Sequence, residues 1–222
     1  DDDMPEDFSD HWLENQDNWY APEDLKILPD VFVTNSYVAG ENDFKESDLA
    51  RSETRDLVVR WENKDQAVWK LWSHILSYSY AGIERTLSRL DNRFDKIWYE
   101  HEHYQAGKDL VAKGLEKGIF KELPDGAILT DLSAFDIPDT ILLKNDGTSL
   151  YITQDLALTE LKKNTYKADK LVWVVGPEQS LAMKQLFAVC EQLGISKRED
   201  LTHVTYGYVG LKDEEGNFKK MA

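Results

Sequence analysis

The chain has 222 residues and a formal charge of −16, from 42 acidic against 26 basic side chains. That length suits one or two compact units, and that charge excludes a basic phosphate-binding surface spread over the whole chain, because phosphate binding depends on Lys and Arg displacing counterions. The single cysteine, Cys190, excludes a disulfide framework and a cysteine zinc site. No apolar run reaches the roughly 20 residues that span a bilayer and no signal segment opens the chain, so a cytoplasmic location and no membrane partner are expected.

Acids crowd the start, where Asp1, Asp2, Asp3, Glu6, Asp7 and Asp10 precede Trp12. Over 1–40 they mix with Trp12, Trp19, Tyr20 and prolines without a steady period, which predicts an irregular acidic segment. Residues 41–93 read as helical. From Ser47 to Leu90 apolar residues recur at helical spacings, broken by the polar Asn63–Asp65, the pattern of a helical pair.

Residues 94–222 read as an α/β core. Asp95–Glu100 predicts a short strand, and Gln105–Lys117 a helix ended by Gly118. Over about 119–144, short apolar runs separated by Pro124-Asp125-Gly126 and Ile137-Pro138 predict a small antiparallel insertion of two or three strands. Thr153 is placed to cap a helix to about Asn164, Leu171–Val175 is a continuous apolar strand, Glu178–Leu193 a helix and His203–Val209 a further strand. Buried strands alternating with helices predict a Rossmann-like, doubly wound parallel sheet. Asp213–Asn217 is a turn, and Phe218–Ala222 is a mobile end at which the chain looks cut short.

A doubly wound sheet binds ligands beyond the carboxyl ends of its strands. Glu100 closes the first predicted strand. Tyr151 and Asp155 lie four apart where a strand turns into a helix, so both can face one pocket, with Asp155 in the first turn where the helix dipole favours its ionised form. A carboxylate beside a phenol suits a planar cation such as guanidinium, which forms forked hydrogen bonds to carboxylates and stacks on aromatic faces. The same spacing equally allows Asp155 as a helix cap and Tyr151 as core filler.

Gly176-Pro177-Glu178-Gln179 follows a strand and opens a helix, where free backbone N–H groups can meet an anion and a side-chain amide can read a polar ligand. In His203-Val204-Thr205-Tyr206-Gly207-Tyr208-Val209, Gly207 would let a flat base approach the backbone, and Lys219 and Lys220 beyond can reach phosphates. His101 and His103 lack further ligands, so no protein metal site is expected, and a P-loop is absent from the sequence.

The stretch Asp146-Gly147-Thr148-Ser149-Leu150-Tyr151-Ile152-Thr153-Gln154-Asp155-Leu156-Ala157 resembles the Asp-Gly-Thr-x-x-Tyr-x-Thr-x-Asp-Leu-Ala signature of the arginyl-tRNA synthetases, a class I family. The order of elements from about Pro29 to Ala222 is similar to that family as well, whereas residues 1–28 match nothing in it. The resemblance implies that Glu100, Tyr151 and Asp155 hold the guanidinium of arginine and that Gln179 lies near its amino group. It implies an ATP side lined by Gly176, His203, Gly207, Tyr208 and Val209, with Lys220 as the catalytic lysine on the triphosphate. Lys220-Met221-Ala222 resembles the opening of the Lys-Met-Ser-Lys-Ser loop, with Ala222 in place of Ser. Two departures stand out: the family's Glu-Ser is Glu100-His101 here, and its His-x-Gly-His motif has no counterpart.

The implied activity is arginine–tRNA ligation. The arginine carboxylate attacks the α-phosphate of ATP with Mg2+ assistance, and the adenylate passes arginine to tRNA(Arg), mainly held by regions outside this chain. The expected state is a monomer, inactive as a fragment. A non-catalytic arginine-binding module and another class I nucleotidyltransferase are the competing readings.

Overall fold

The computed structural model describes residues 8–207 and 210–220, so Tyr208 and Val209 lie outside the described residues. The chain divides into two compact units, Asp1–Asp95 and Lys96–Ala222.

The first unit is helical: α1 (Phe8–Glu14), a 3-10 turn at Gln16–Asn18, α2 (Pro29–Glu46), α3 (Asp48–Glu62) and α4 (Gln66–Arg89). The expectation of an irregular segment over 1–40 is therefore corrected for the described part. Pro29 at the first position fixes φ for α2 without costing a hydrogen bond, which is how a proline-bearing stretch starts a helix. The expected helical pair is α3 and α4, with the break at Asn63–Asp65. Ser47 caps α3 by accepting from Ala50 N (3.2 Å), and Arg51 donates to the orphan carbonyls of Phe44 and Lys45 at the end of α2 (2.8 and 2.9 Å). Asp65 caps α4 through Ala67 N and Val68 N (3.1 and 3.0 Å). The Val68 bond leads the causes that hold its carboxyl below the usual range.

Aromatic packing does much of the rest. Trp61 and Trp69 stack at 5.0 Å with Trp72 edge-on to both, and Lys64 lies 3.8 Å over the Trp69 ring. Helices α2 and α4 meet at Gly82, where a Cβ would fall 2.2 Å from that of Asp30. Asp30 also pairs with Arg85 (3.1 Å).

The second unit carries α5 (Tyr104–Glu116), β1 (Lys121–Glu122), β2 (Ile128–Leu129), β3 (Ile141–Leu143), α6 (Tyr151–Tyr166), β4 (Leu171–Val174), α7 (Ser180–Leu193), β5 (Leu201–Val204), β6 (Gly210–Lys212) and β7 (Phe218–Lys220). Strands β1, β2 and β3 form the small antiparallel sheet expected over 119–144. Strands β4 and β5 pair in parallel from Leu171↔Leu201 to Val174↔Val204, joined through α7. The core runs through α5, α6 and α7, with Val111, Leu132, Leu142, Leu156 and Leu186 fully buried.

Four expectations need correction here. Among the described residues the parallel sheet has two strands, and the doubly wound arrangement is not seen: Val172 and Val174 are 58% and 64% exposed, while Leu171 and Trp173 face the core. An apolar run reads alike whether one face of a strand is buried or both. Asp95–Glu100 is no strand; Tyr99 is extended, but the stretch has no ladder partner among the described residues and turns into a 3-10 segment, Glu100–Glu102. The predicted His203–Val209 strand is β5, which begins earlier and ends at Val204. Phe218–Lys220 is the second strand of a hairpin with β6 across the Asp213–Asn217 turn, rather than a mobile end, because the ladder satisfies its backbone groups.

Candidate functional site

The signature divides into a turn and a helix start. In Asp146-Gly147-Thr148, the Asp146 carboxylate accepts from Thr148 N and Thr148 Oγ1 (2.9 and 2.7 Å), and Gly147 has φ +79°, a conformation that favours glycine. This turn brings the chain back from β3 into α6. There Leu150, not Thr153, is the N-cap residue, and Thr153 lies inside the first turn with its hydroxyl donating to Leu142 O in β3 (2.6 Å). The expected Thr153 cap is thus a tertiary bond, in which the hydroxyl donates to a β3 carbonyl instead of accepting from a helix N–H.

Tyr151 opens α6 and is 79% exposed, so it is not core filler. Asp155, one turn on, shares its face and does not cap the helix. Its carboxyl is pushed up to about 6, first by burial and then by the negative charge of Glu100, against a smaller opposing effect of Lys162. The dipole argument fails because Asp155 is the fifth residue of α6, beyond the turn in which the dipole acts strongly. Glu100, exposed at the start of its 3-10 turn, is close enough to perturb Asp155. Among the described residues neither carboxylate forms a salt bridge or side-chain hydrogen bond, which leaves two neighbouring carboxylates and, on the helix face of one of them, a phenol, with Lys162 acting only at a distance.

The second cluster lies at the carboxyl ends of β4 and β5. Val175 N bonds Val204 O (3.2 Å), and the His203 ring nitrogen Nε2 meets Val175 O at 3.1 Å. Gly176 follows directly, and the space a Cβ would take there is filled by the Glu178 carboxylate, 2.3 Å away. Sequence reading missed this carboxylate, although Glu178 stands inside the motif. It makes this wall anionic, which suits an ammonium better than a phosphate. Gln179 closes the 3-10 turn before α7. Space over Gly207 is open. Lys220 lies in β7, its main chain opposite Gly210.

A cavity of about 850 Å³ between the Phe135–Pro138 turn, α7 and residues 197–199 contains none of these residues. Among its charges, Lys197 pairs with Glu199 at 3.5 Å and Arg198 lies 5.0 Å over Phe135. The Glu100–Asp155 carboxylates, close enough for one to perturb the other, carry the stronger chemical demand.

Solved structures of arginyl-tRNA synthetases share the fold of this chain. The arginyl-tRNA synthetase of Plasmodium falciparum superimposes with a TM-score of 0.60 at 16% identity, covering 82% of this chain and 33% of that one. The arginyl-tRNA synthetase of Thermus thermophilus gives 0.59 at 19% identity, covering 97% of this chain and 42% of that one. The family described as tRNA synthetases class I (R), catalytic domain, matches residues 11–221, and the chain belongs to it. That match begins upstream of Pro29, so the similarity reaches further than the motifs alone indicate. Among curated relatives, the arginine–tRNA ligase of Borreliella afzelii is 35% identical over 212 residues, 90% of this chain and 36% of that protein. The Treponema denticola arginine–tRNA ligase is 36% identical over 201 residues, 90% of this chain and 34% of the other. The chain thus spans about a third of the length of these relatives.

Proposed function

We propose that the chain supplies the arginine-recognising part of an arginine–tRNA ligase. The carrying observation is the Glu100–Asp155 pair: two carboxylates, one half-buried, with no salt-bridge partner among the described residues and a phenol on the same helix face. A guanidinium would restore Asp155 to its ionised form and donate forked hydrogen bonds to both carboxylates. Tyr151 would add a flat contact. Gln179, with the Glu178 carboxylate over Gly176, would receive the α-ammonium.

The reaction that fits has two steps. The arginine carboxylate attacks the α-phosphorus of ATP, forming arginyl-adenylate and releasing pyrophosphate; a terminal ribose hydroxyl of tRNA(Arg) then takes the arginyl group and AMP departs. In this reading the residues of the chain orient arginine and stabilise charge. The adenine side falls to His203 and Gly207 with Tyr208 and Val209, and the phosphates to Lys220 as catalytic lysine. Mg2+, arriving with ATP, would neutralise phosphate charge; among the described residues no group of three His, Cys, Asp or Glu forms a metal site. Among those residues, too, no helix is long and apolar enough to cross a membrane. A monomer acting in the cytoplasm completes the proposal.

Calorimetric titration tests it. L-Arginine binds, citrulline does not, and Asp155→Asn abolishes the difference; equal binding of the two ligands, or none of arginine, overturns it. Because Asp155 in the free chain is protonated below about 6, arginine affinity falls roughly tenfold per pH unit below that point.

A further inference from the structure

We propose that Gly107 and Thr153 are positioning residues, whose main-chain contact between α5 and α6 sets the separation of Glu100 and Asp155. The inference rests on the reading of that pair as a guanidinium site. A Cβ at Gly107 would lie 2.4 Å from Thr153 O and 3.1 Å from Thr153 Cγ2. The first turns of α5 and α6 therefore touch backbone to backbone. Each side of this contact leads to one carboxylate. On the α5 side, Gly107 N donates to His103 O (3.3 Å) and His103 N donates to Glu100 O (2.9 Å), a relay of main-chain bonds from the crossing to Glu100.

On the α6 side, Thr153 is fully buried and stands two residues before Asp155. Its hydroxyl, bonded to Leu142 O at 2.6 Å, fastens the first turn to β3, where Leu150 N shares the same acceptor at 3.3 Å. The turn cannot slide along α5 without breaking that bond. The crossing thus fixes how far apart the two carboxylates stand and how the forked bonds of a guanidinium reach them.

An added methyl at Gly107 has to push α5 away until 2.4 Å becomes the 3.4 Å at which ordinary contact begins. Displacements of this order move binding groups out of productive geometry, with losses on the order of 100-fold. The same displacement takes Glu100 away from Asp155. Besides Glu100, the groups that act electrically on Asp155 are Lys162 and the neighbouring Cys190 thiol, and neither lies on α5.

The experiment follows the Asp155 carboxyl carbon by NMR against pH, and arginine and lysine binding by calorimetry, in Gly107→Ala, Thr153→Val and Thr153→Ser. Gly107→Ala and Thr153→Val lower the Asp155 midpoint towards the ordinary aspartate value and weaken arginine tenfold or more while narrowing its preference over lysine. Thr153→Ser, which keeps the hydroxyl, stays within about threefold of the parent. A role in stability alone would lower the melting temperature and leave the Asp155 midpoint in place. An unmoved midpoint and unchanged selectivity in the folded variants overturn the proposal, and if Gly107→Ala does not fold, the Thr153 pair decides. Should the parent chain fail to bind arginine while the midpoint still moves, the function proposed above falls and the positioning role stands.

Discussion

The two units reach order by different means. In the helical unit, α2 and α3 have no fully buried residue, and the helices are held by caps, the tryptophan cluster and one close crossing at Gly82. In the α/β unit, α5, α6 and α7 enclose a continuous apolar core. Only that core can hold an aspartate in a low-polarity setting against its preference for water, because desolvation requires neighbours that do not yield. The proposed recognition site accordingly falls on the packed unit, at the margin of its core.

Core truncation should separate the units most sharply. Leu186→Ala removes a fully buried side chain and lowers unfolding free energy by about 3 kcal/mol, whereas Val59→Ala on the exposed part of α3 changes it by less than about 0.5 kcal/mol; urea denaturation of both measures the contrast. Equal effects would mean that the helical unit has a core of its own.

Next in size is the cost of keeping Asp155 charged. A carboxyl raised from 3.8 to about 6 favours the fold fully only below the unfolded value, and the advantage is lost as pH rises through the folded one. Asp155→Asn is therefore the more stable protein above pH 6, by up to about 3 kcal/mol, with the gap closing below pH 4. Thermal melts from pH 3.5 to 7.5 read this directly, and a gap that does not change with pH would remove desolvation as its cause. The smallest effect concerns the caps: Ser47→Ala costs about 1 kcal/mol by leaving Ala50 N without its acceptor. It should be visible as a modest loss of helix stability in the first unit.

Much of this was legible in the sequence. The helical pair, with its break at Asn63–Asp65, the helix ended by Gly118, the small antiparallel insertion and α7 follow from spacing and turn chemistry, which act within a few residues. The family could be read from the signature at Asp146–Ala157, and the pairing of Tyr151 with Asp155 on one helix face from a spacing of four. Residues 8–40 were harder, because their helices have weak periodicity and exposed apolar residues such as Tyr37 and Val38.

What residue order determined by itself was local: which segments are helix, turn or strand, and which side chains have the chemistry for a guanidinium. Tertiary structure alone decided that Thr153 bonds β3 instead of capping α6, that one face of β4 is open, and that burial and Glu100 together raise the Asp155 carboxyl. These outcomes depend on segments far apart in sequence meeting within a few ångströms, and a pattern of neighbours along the chain does not contain those distances.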